Sequence, residues 1–391
     1  MHPERLQHDY VPPNLPRRED ERKEMYDFFY EFFEKKARFI SLSLVGNAGV
    51  GKTVLSRRVG EDIEQALRPH VRTLYVNCYM IRNPFKALVE IVRKITPSIP
   101  RRGLSLYEVM DSFLKILHDM RCGVLIILDE INMLFKDKAE RARDMLYMLS
   151  RTDENDEWRR LNISIGIITT SRNEVWPYKW LDSATRASFI KKVHKLNDYS
   201  KNDLFEILRY RAELALRFGS YNDEILEFIA DYTAQYKNGN ARIAIDLLAY
   251  AAEIAEMQKS SEILPEHVRR AINDLSYARI DINVDPEVLY SLGRHKLIVL
   301  LSIIRALKIT NKAYITRREL QPFYQQVCEE YGEKPRRTTQ LLKYIKELGT
   351  ELGTIMSVEV SGKGQRGRST RISINVELDL LEKTILSLIE Q

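Results

Sequence analysis

The feature that most constrains this chain is the string GNAGVGKT at residues 46–53. It fits the phosphate-binding pattern G-x-x-x-x-G-K-[ST] at every position. An apolar segment at 39–45 precedes the string and is typical of a buried strand, and a helical pattern begins at Val54. Because this motif requires a strand, a glycine-rich loop and a helix in that order, the sequence predicts an α/β nucleotide-binding core with a parallel sheet.

Each residue type in this loop suits a nucleoside triphosphate. Glycines allow backbone N–H groups to converge on phosphate oxygens, and the N-terminus of the following helix favours negative charge. Lys52 can reach the terminal phosphates, and the Thr53 hydroxyl can bind Mg²⁺. We therefore expect ATP or ADP with Mg²⁺ on the loop residues Gly46, Asn47, Ala48, Gly49, Val50, Gly51, Lys52, Thr53 and Val54.

A second apolar run, at 124–128, ends in the acidic pair Asp129-Glu130. At the end of a buried strand, Asp129 can hold Mg²⁺, and Glu130 can orient or deprotonate the attacking water. A solvated acidic strand end would look the same in isolation. Following a phosphate loop, the pair favours a catalytic role in nucleotide hydrolysis.

Composition narrows the class of protein. A chain of 391 residues suggests two or three domains, and no apolar run approaches the ~20 residues of a membrane span. The N-terminal string MHPERLQHDY does not resemble a signal or transit peptide. Cys78, Cys122 and Cys328 are far apart and show no metal-binding spacing. We expect a soluble cytoplasmic protein without disulfides, structural zinc or a membrane partner.

The net charge is concentrated at one end. Residues 291–391 contain 17 Lys+Arg and 11 Asp+Glu, an excess of +6 that equals the formal net charge of the whole chain. A basic C-terminal quarter on an otherwise neutral chain suggests a polyanionic partner. A merely soluble basic surface is the alternative.

The pattern of elements predicts three domains, at 1–195, 196–280 and 287–391. The first alternates apolar strands with helices, which indicates a parallel sheet wrapped by helices. Its predicted strands are 39–45, 71–77, 124–128 and 163–169, and its helices include 21–36, 84–94 and 105–120. The second is an all-α domain with helices at 200–218, 223–236, 241–258 and 265–275. A linker at 278–286 leads to the third.

The third domain has the layout of a winged helix, a variant of helix-turn-helix. Helices are predicted at 293–309, 316–331 and 337–349, and strands at 354–360 and 368–375. In the third helix, Leu341, Leu342, Ile345 and Leu348 form an apolar stripe. On the face opposite this stripe, Arg and Gln side chains can hydrogen-bond to base edges, and Thr and Lys side chains can contact phosphates. The candidate DNA contacts are Arg336, Arg337, Thr339, Gln340, Lys343 and Lys346, with Lys363, Arg366 and Arg368 at the hairpin tip. A charged, solvated helix with a flexible turn is the alternative.

Four landmarks together resemble the archaeal origin-recognition initiators, the family related to the eukaryotic origin recognition complex and cell-division-control protein six. The first is YVPPNLPRRE at 10–19, similar to the N-terminal signature of the family. The two nucleotide motifs follow at the spacing of the family. GNARIAIDLL at 239–248 resembles its sensor 2 motif, and the C-terminal winged helix completes the order.

The resemblance implies an AAA+ core, an all-α lid and a winged helix. It implies that Tyr10, Val11 and Arg18 lie near the adenine and that Arg242 reaches from the lid to the phosphates, which suits a bidentate guanidinium. The family also inserts a short helical element into the core that contacts DNA. Arg82 or the stretch 99–103 could belong to it.

Two departures from the family pattern bear on hydrolysis. The family usually places Asn at the end of the strand after the acidic pair, where Thr169 is expected here as sensor 1, with Asn173 four residues later. The segment LDSATRASF at 181–189 retains Arg186 as a candidate arginine finger for a neighbouring subunit, and has Ala184 where the family has another Arg. We expect hydrolysis to be slow or to depend on a partner.

The implied function is an ATP-dependent DNA replication initiator. It would bind double-stranded origin DNA through the winged helix and the core, recruit the replicative helicase, pair with sister initiator subunits and associate with the nucleoid. One alternative is a transcription regulator that carries a winged helix. The string at 10–19 argues against this alternative, because it resembles the N-terminal signature of the initiators. Another is a DNA-binding module that holds nucleotide without cycling, which Thr169 slightly favours.

Overall fold

The computed structural model describes residues 2–275, 286–360 and 370–390. The chain divides into two compact units. One is Asp9–Asp198, and the other combines the described residues of Met1–His8 and Tyr199–Gln391. The domain bounds expected from the sequence remain predictions, and the first residues of the chain group with the second unit.

The first unit is a parallel sheet with helices on both faces. The strand order is β2-β3-β4-β1-β5, and every neighbouring pair is parallel. The strands are β1 (Phe39–Val45), β2 (Val71–Asn77), β3 (Gly123–Asp129), β4 (Ile165–Ser171) and β5 (Lys192–Lys195). The helices are α1 (Glu19–Glu34), α2 (Lys52–Leu67), α3 (Cys78–Ile81), α4 (Pro84–Arg93), α5 (Leu106–Asp119), α6 (Phe135–Ser150), α7 (Asp156–Leu161), α8 (Trp176–Trp180) and α9 (Ser183–Phe189).

Strand β3 shows why the sequence of this unit has an α/β pattern. Leu125 and Ile127 pack with α1 and α2 on one face, and Val124, Ile126 and Leu128 pack with α4, α5 and α6 on the other. Both faces are therefore buried, which is typical of a parallel sheet and explains the continuous apolar run.

The predicted strands at 39–45 and 71–77 are confirmed, whereas two details of the sheet were wrong. Strand β4 runs from Ile165 to Ser171, two residues later than predicted, because Asn162 ends α7 in the left-handed region (φ 51°) and the next residues connect to the strand. Thr169 therefore lies within the strand and not at its end. Strand β5 was missed because it is short, lies at the sheet edge and contains two lysines.

The second unit begins with an all-α lid, as expected. Its helices are α10 (Lys201–Ala215), α11 (Asp223–Tyr236), α12 (Ala241–Met257) and α13 (Pro265–Asp274). Ser200, Asn222 and Asn240 cap helices with their side chains. A short 3₁₀ helix at Pro3–Leu6 packs on the lid: Leu6 is buried in the lid core, and the His2 N–H donates to the Ala215 carbonyl at 2.8 Å.

The winged helix is confirmed in the described residues. It contains α14 (Pro286–Ser291), α15 (Arg294–Thr310), β6 (Ile315–Thr316), α16 (Arg317–Glu330), α17 (Thr338–Glu351), β7 (Met356–Val360), β8 (Thr370–Ile374) and α18 (Leu378–Ile389). The antiparallel sheet has the order β6-β8-β7. Helix α18, which was not predicted, buries Leu381 and Ile385 in the core of this domain. The hairpin tip with Lys363, Arg366 and Arg368 lies outside the described residues, as does most of the predicted linker.

Buried polar contacts join the lid to the winged helix. The Arg269 guanidinium, fully buried on α13, donates to the Ile374 carbonyl at 2.9 Å and the Lys312 carbonyl at 3.3 Å. The Glu227 carboxylate on α11 accepts two hydrogen bonds from Arg371, at 3.0 and 2.9 Å. Buried polar groups are stable only when paired, so this joint depends on a specific docking geometry.

Arg269→Met should lower the free energy of unfolding of this unit by about 2–4 kcal/mol, because two buried carbonyls would lose a charged donor. The matched control is Arg270→Met, since Arg270 is half-exposed and pairs with Asp274 on its own helix at 3.5 Å; a change within about 0.5 kcal/mol is expected there. Urea unfolding followed by circular dichroism measures both. Equal effects of the two substitutions would refute the role of the joint.

Candidate functional site

The phosphate loop lies between β1 and α2, at the carboxyl end of the sheet. Gly51 adopts a left-handed conformation (φ 91°) immediately before the helix begins at Lys52. A side chain there would be strained. At Gly46 a Cβ would lie 2.6 Å from the Leu196 carbonyl oxygen. The strand–loop–helix context predicted for this motif is therefore confirmed, and these two glycines are required by the backbone.

The Lys52 ammonium lies inside the loop. Its Nζ donates to the carbonyls of Gly46 and Asn47 at 2.8 and 2.7 Å, and the residue is buried. The amide of Asn47 in turn donates to both carboxylate oxygens of Asp198 at 2.9 Å. The loop is thus held on both sides, with a cation at its centre, as a phosphate cradle requires.

The carboxylate of Asp129 is the centre of a hydroxyl cluster. Although it is only 4% exposed, it accepts hydrogen bonds from Thr53 Oγ1 at 2.9 Å, Thr170 Oγ1 at 2.5 Å and the Tyr75 hydroxyl at 2.9 Å. Burial, followed by the charge of Asp129, raises the pKa of Tyr75, so this tyrosine stays a donor. A carboxylate beside a threonine hydroxyl offers the hard oxygen ligands that Mg²⁺ prefers, so the residues fit the expected metal.

Glu130 has a strained backbone and an unsatisfied carboxylate oxygen. Its φ of 56° lies in the left-handed region, where residues other than glycine are uncommon. Among the residues that the structure describes, Oε2 is buried without a hydrogen-bond partner, whereas Oε1 accepts from Arg172 Nε at 3.3 Å. Such strain is concentrated at functional sites. The role of Glu130 as the base that accepts a proton from water remains a prediction.

Thr170, which sequence reasoning missed, connects the two acidic residues. It donates to Asp129 and accepts the Glu130 backbone N–H at 2.9 Å. Thr169 is fully buried, and its hydroxyl donates to Ser43 Oγ on β1 at 2.9 Å. Successive strand residues point to opposite faces, so Thr170 faces Asp129 whereas Thr169 faces Ser43. The role of Thr169 as sensor 1 remains a prediction.

The N-terminal signature contributes a buried arginine to the loop. Arg18 is 7% exposed and donates to the Val50 carbonyl at 3.3 Å and the Asn197 carbonyl at 2.6 Å. Tyr10 and Val11 are half-buried in the same unit. Arg18 therefore lies beside the phosphate loop, and a direct role of these three residues in binding adenine remains a prediction.

The predicted arginines outside the loop are accessible. Arg186 on α9 lies 5.0 Å from the centre of the exposed Tyr178 ring. Arg242 is exposed in the first turn of α12, where its backbone N–H donates to the Asn240 side chain at 3.0 Å. Arg82 ends α3 in the left-handed region, stacked 4.7 Å from Tyr79, and Arg101 and Arg102 are exposed within 99–103. Their proposed roles remain predictions.

Helix α17 has the two faces that the sequence predicted. Leu341, Ile345 and Leu348 are buried, and Leu342 is half-buried. Among the candidate DNA contacts, Gln340 is half-buried and the following are exposed: Arg336, Arg337, Thr339, Lys343 and Lys346. The helix therefore presents basic and polar side chains beside its buried stripe, where Lys343 pairs with Glu347 at 3.7 Å.

Three domain families match the chain in this same order. They are an AAA domain at residues 37–167, a Cdc6 AAA+ ATPase-type lid domain at 205–273 and a CDC6 C-terminal winged helix domain at 287–384. An ORC1-type DNA replication protein 2 from Saccharolobus solfataricus is 33% identical over 385 residues, which cover 97% of this chain and 91% of the relative. The chain belongs to the family of archaeal ORC1-type (Cdc6) replication proteins.

Solved structures of this family agree with the assignment. The crystal structure of Cdc6p from Pyrobaculum aerophilum matches with a TM-score of 0.81 and 31% identity, covering 100% of this chain and 98% of the other. The ORC1 protein of Aeropyrum pernix, solved in complex with DNA, matches with a TM-score of 0.62 and 26% identity, covering 99% and 96%. The core is therefore an AAA+ fold.

In the described part of this family member, every helix is too short or too polar to span a bilayer.

Thr170→Val should reduce ATP turnover about 10-fold, because it removes a charge-assisted hydrogen bond to Asp129 and an acceptor for Glu130. Thr169→Val, one residue away and equally buried, is the matched control and should stay within about 2-fold, since its hydroxyl donates to Ser43 on the neighbouring strand. Single-turnover hydrolysis of radiolabelled ATP distinguishes them. A larger effect of Thr169→Val than of Thr170→Val would restore Thr169 as sensor 1.

Proposed function

We propose that this protein is an ATP-dependent replication initiator that binds double-stranded origin DNA. The observation that carries the proposal is the combination, in one chain, of a phosphate loop facing a buried Asp129 with an exposed basic helix on a winged-helix domain. Membership of the replication-protein family supports the biological setting. Beyond family membership, we propose that the protein depends on nucleotide, recognises DNA and recruits a helicase.

The nucleotide roles follow from the contacts in the core. When bound, ATP supplies the reactive phosphoanhydride and Mg²⁺ neutralises charge on the phosphates. Lys52 and the loop N–H groups bind phosphate oxygens, and Thr53 and Asp129 hold the metal. Tyr75 and Thr170 orient Asp129. Glu130 accepts a proton from water at its unpartnered oxygen.

Hydrolysis by the isolated protein is expected to be slow. Arg242 in the lid and Arg186 for a neighbouring subunit are the groups proposed to stabilise charge on the phosphates, and both are accessible. An arginine that must arrive from another domain or subunit makes the rate depend on assembly. Sister initiators bound to the same DNA are the partners that would supply it.

DNA contact is assigned to α17 and the adjacent hairpin. Arg336, Arg337 and Gln340 have side chains that can read base edges in the major groove, and Thr339 and Lys343 suit phosphates. Lys363, Arg366 and Arg368 are proposed as further contacts, and Arg82 as a contact from the core. The DNA complex solved for the Aeropyrum pernix relative supports DNA binding in general, and the choice of surface rests on the exposed basic residues of this chain.

The lid is proposed to transmit the nucleotide state to the DNA-binding domain. Because Arg269 and Glu227 make buried or bidentate contacts across the lid and winged helix, we propose that these two domains move as one body. A movement of the lid around the nucleotide would then reorient α17 and alter recruitment or release of the helicase.

Arg337→Ala and Lys343→Ala should each weaken binding to a DNA duplex. The log–log salt dependence should become shallower by about 0.9 for each phosphate that the variant no longer neutralises. Lys383→Ala, an exposed lysine on α18, is the control and should change neither quantity. Fluorescence anisotropy with a labelled duplex at several salt concentrations measures both. Unchanged slopes in the α17 variants would remove this helix from the interface.

A non-cycling, nucleotide-bound module is the second candidate function. The observation that favours it is the contact of Arg172 Nε with Glu130 Oε1 at 3.3 Å, which occupies one oxygen of the proposed base. A nucleotide bound without turnover would then serve only as a structural element.

Glu130→Gln should retain ATP binding and reduce hydrolysis by about 100-fold or more, since a general base is removed. Arg172→Gln is the control and should preserve or raise the rate. ATP binding by calorimetry and phosphate release at saturating ATP separate the candidates. Wild-type protein that binds ATP, releases no phosphate and matches Glu130→Gln in DNA binding would establish the non-cycling module.

A further inference from the structure

The N-terminus of α17 lacks the usual side-chain cap. Arg337 occupies the N-cap position, and within the described residues no side chain accepts a hydrogen bond from the first turn. Serine, threonine, aspartate or asparagine normally does so, and stabilises a helix by about 1 kcal/mol. The helix that carries the proposed DNA contacts is therefore held at its start by something other than a local cap.

A hydroxyl from the preceding helix anchors the chain at this point. The backbone N–H of Arg336, directly before the N-cap residue, donates to the Tyr324 hydroxyl at 2.9 Å. Tyr324 lies on α16 and is fully buried. This bond to the preceding helix leaves the N–H groups of the first turn uncapped, but it fixes the direction in which the chain enters α17.

His295 orients this hydroxyl. Its Nε2 lies 2.6 Å from the Tyr324 oxygen. Because that oxygen already accepts from Arg336, we assign the tyrosine proton to His295 and the unprotonated state to Nε2, with the Cys328 sulfur as the competing acceptor. Among the described residues, the buried Nδ1 has no hydrogen-bond partner. The proton of the neutral ring then lies on Nδ1.

Several groups from three helices and a loop face His295. The Glu333 carboxylate is 3.7 Å from Nδ1, Arg336 lies on the same loop, and the Tyr344 ring on α17 is 5.5 Å away between centroids. Arg294 pairs with Glu333 at 3.6 Å, and Cys328 neighbours Tyr324.

Burial, followed by the charge of Arg336, lowers the pKa of His295 against the opposing effect of Glu333. Burial raises the pKa of Tyr324 to about 12.

We propose that His295 and Tyr324 are positioning residues for DNA binding, which hold the start of α17 in the orientation that contacts the duplex. The inference rests on the proposed DNA-binding function of α17. Neither residue touches DNA in this scheme. They act through the backbone of Arg336, next to Arg337 and Thr339.

The arrangement makes DNA affinity depend on pH. Protonation of His295 would place a second donor against the Tyr324 oxygen, remove the acceptor for the tyrosine proton and add positive charge beside Arg336. Because the pKa of His295 is lowered in the anchored state, that state is complete above the ordinary histidine pKa of about 6.5 and is lost as pH falls through the lowered value. Low pH should therefore release the start of α17.

Tyr324→Phe tests the anchor directly. It should weaken duplex binding at pH 7.5 about 3- to 10-fold, the range expected for one buried hydrogen bond. The salt slope should not change, since the variant neutralises the same phosphates. Hydrogen exchange of the Arg336 amide should also become faster. Tyr331→Phe, at the end of the same helix, is the matched control and should change none of these. Wild-type affinity and exchange in Tyr324→Phe would overturn the proposal.

Variants of His295 test the pH dependence. Glutamine can still accept the tyrosine proton, so His295→Gln should retain affinity at pH 7.5, whereas His295→Leu should weaken it about as much as Tyr324→Phe. Between pH 7.5 and 5.5, the wild-type affinity should fall relative to that of His295→Gln, and a constant ratio would overturn the switch. If wild-type protein bound no duplex, the proposed function would fail, and the exchange measurement would still decide whether Tyr324 anchors α17.

Discussion

The buried carboxylate of Asp129 is the interaction on which the nucleotide site depends. A charge at 4% exposure is stable only if hydrogen bonds replace its hydration. Three hydroxyls do so, from Thr53 after the phosphate loop, Tyr75 on β2 and Thr170 on β4. They converge because parallel strands bring their carboxyl ends to the same edge. A change in the register of β3 with its neighbours would disperse all of them.

The same cluster connects the proposed metal ligand to the proposed catalytic base. Thr170 bonds both the carboxylate of Asp129 and the backbone of Glu130, which is held in a left-handed conformation. A substitution that displaces the carboxylate of Asp129, the proposed metal ligand, should therefore also displace Glu130, because the Thr170 hydroxyl bonds both residues.

In the second unit, buried polar groups play the corresponding role for the proposed DNA-binding surface. Arg269 donates to carbonyls of the winged helix, and the Tyr324 hydroxyl accepts the Arg336 N–H just before α17. Both contacts join residues of different elements. The proposed DNA surface is thus oriented by interior hydrogen bonds and not by its exposed basic residues, which supply charge and recognition.

Much of this organisation could be predicted from local patterns. Residues 39–53 carry the strand, the loop and the helix start, and the apolar stripe of α17 follows helical spacing, so these predictions agree with the structure. Thr170 could not be separated from Thr169, because their difference depends on where one strand begins relative to its neighbour. The roles of Arg269 and Tyr324 could not be predicted at all, since a sequence shows neither which carbonyls a buried arginine meets nor which helix start a tyrosine reaches.

The measurement that tests the central claim most directly is to mix the purified protein with ATP and sheared genomic DNA of its host, capture it and sequence the retained fragments. We expect a few discrete peaks in intergenic DNA where replication begins, since an initiator combines specific base contacts with nucleotide-dependent assembly. Peaks at many promoters would instead support a transcription regulator. A smooth profile would mean that the domain contacts mainly the DNA backbone, and it would contradict origin recognition by this chain alone.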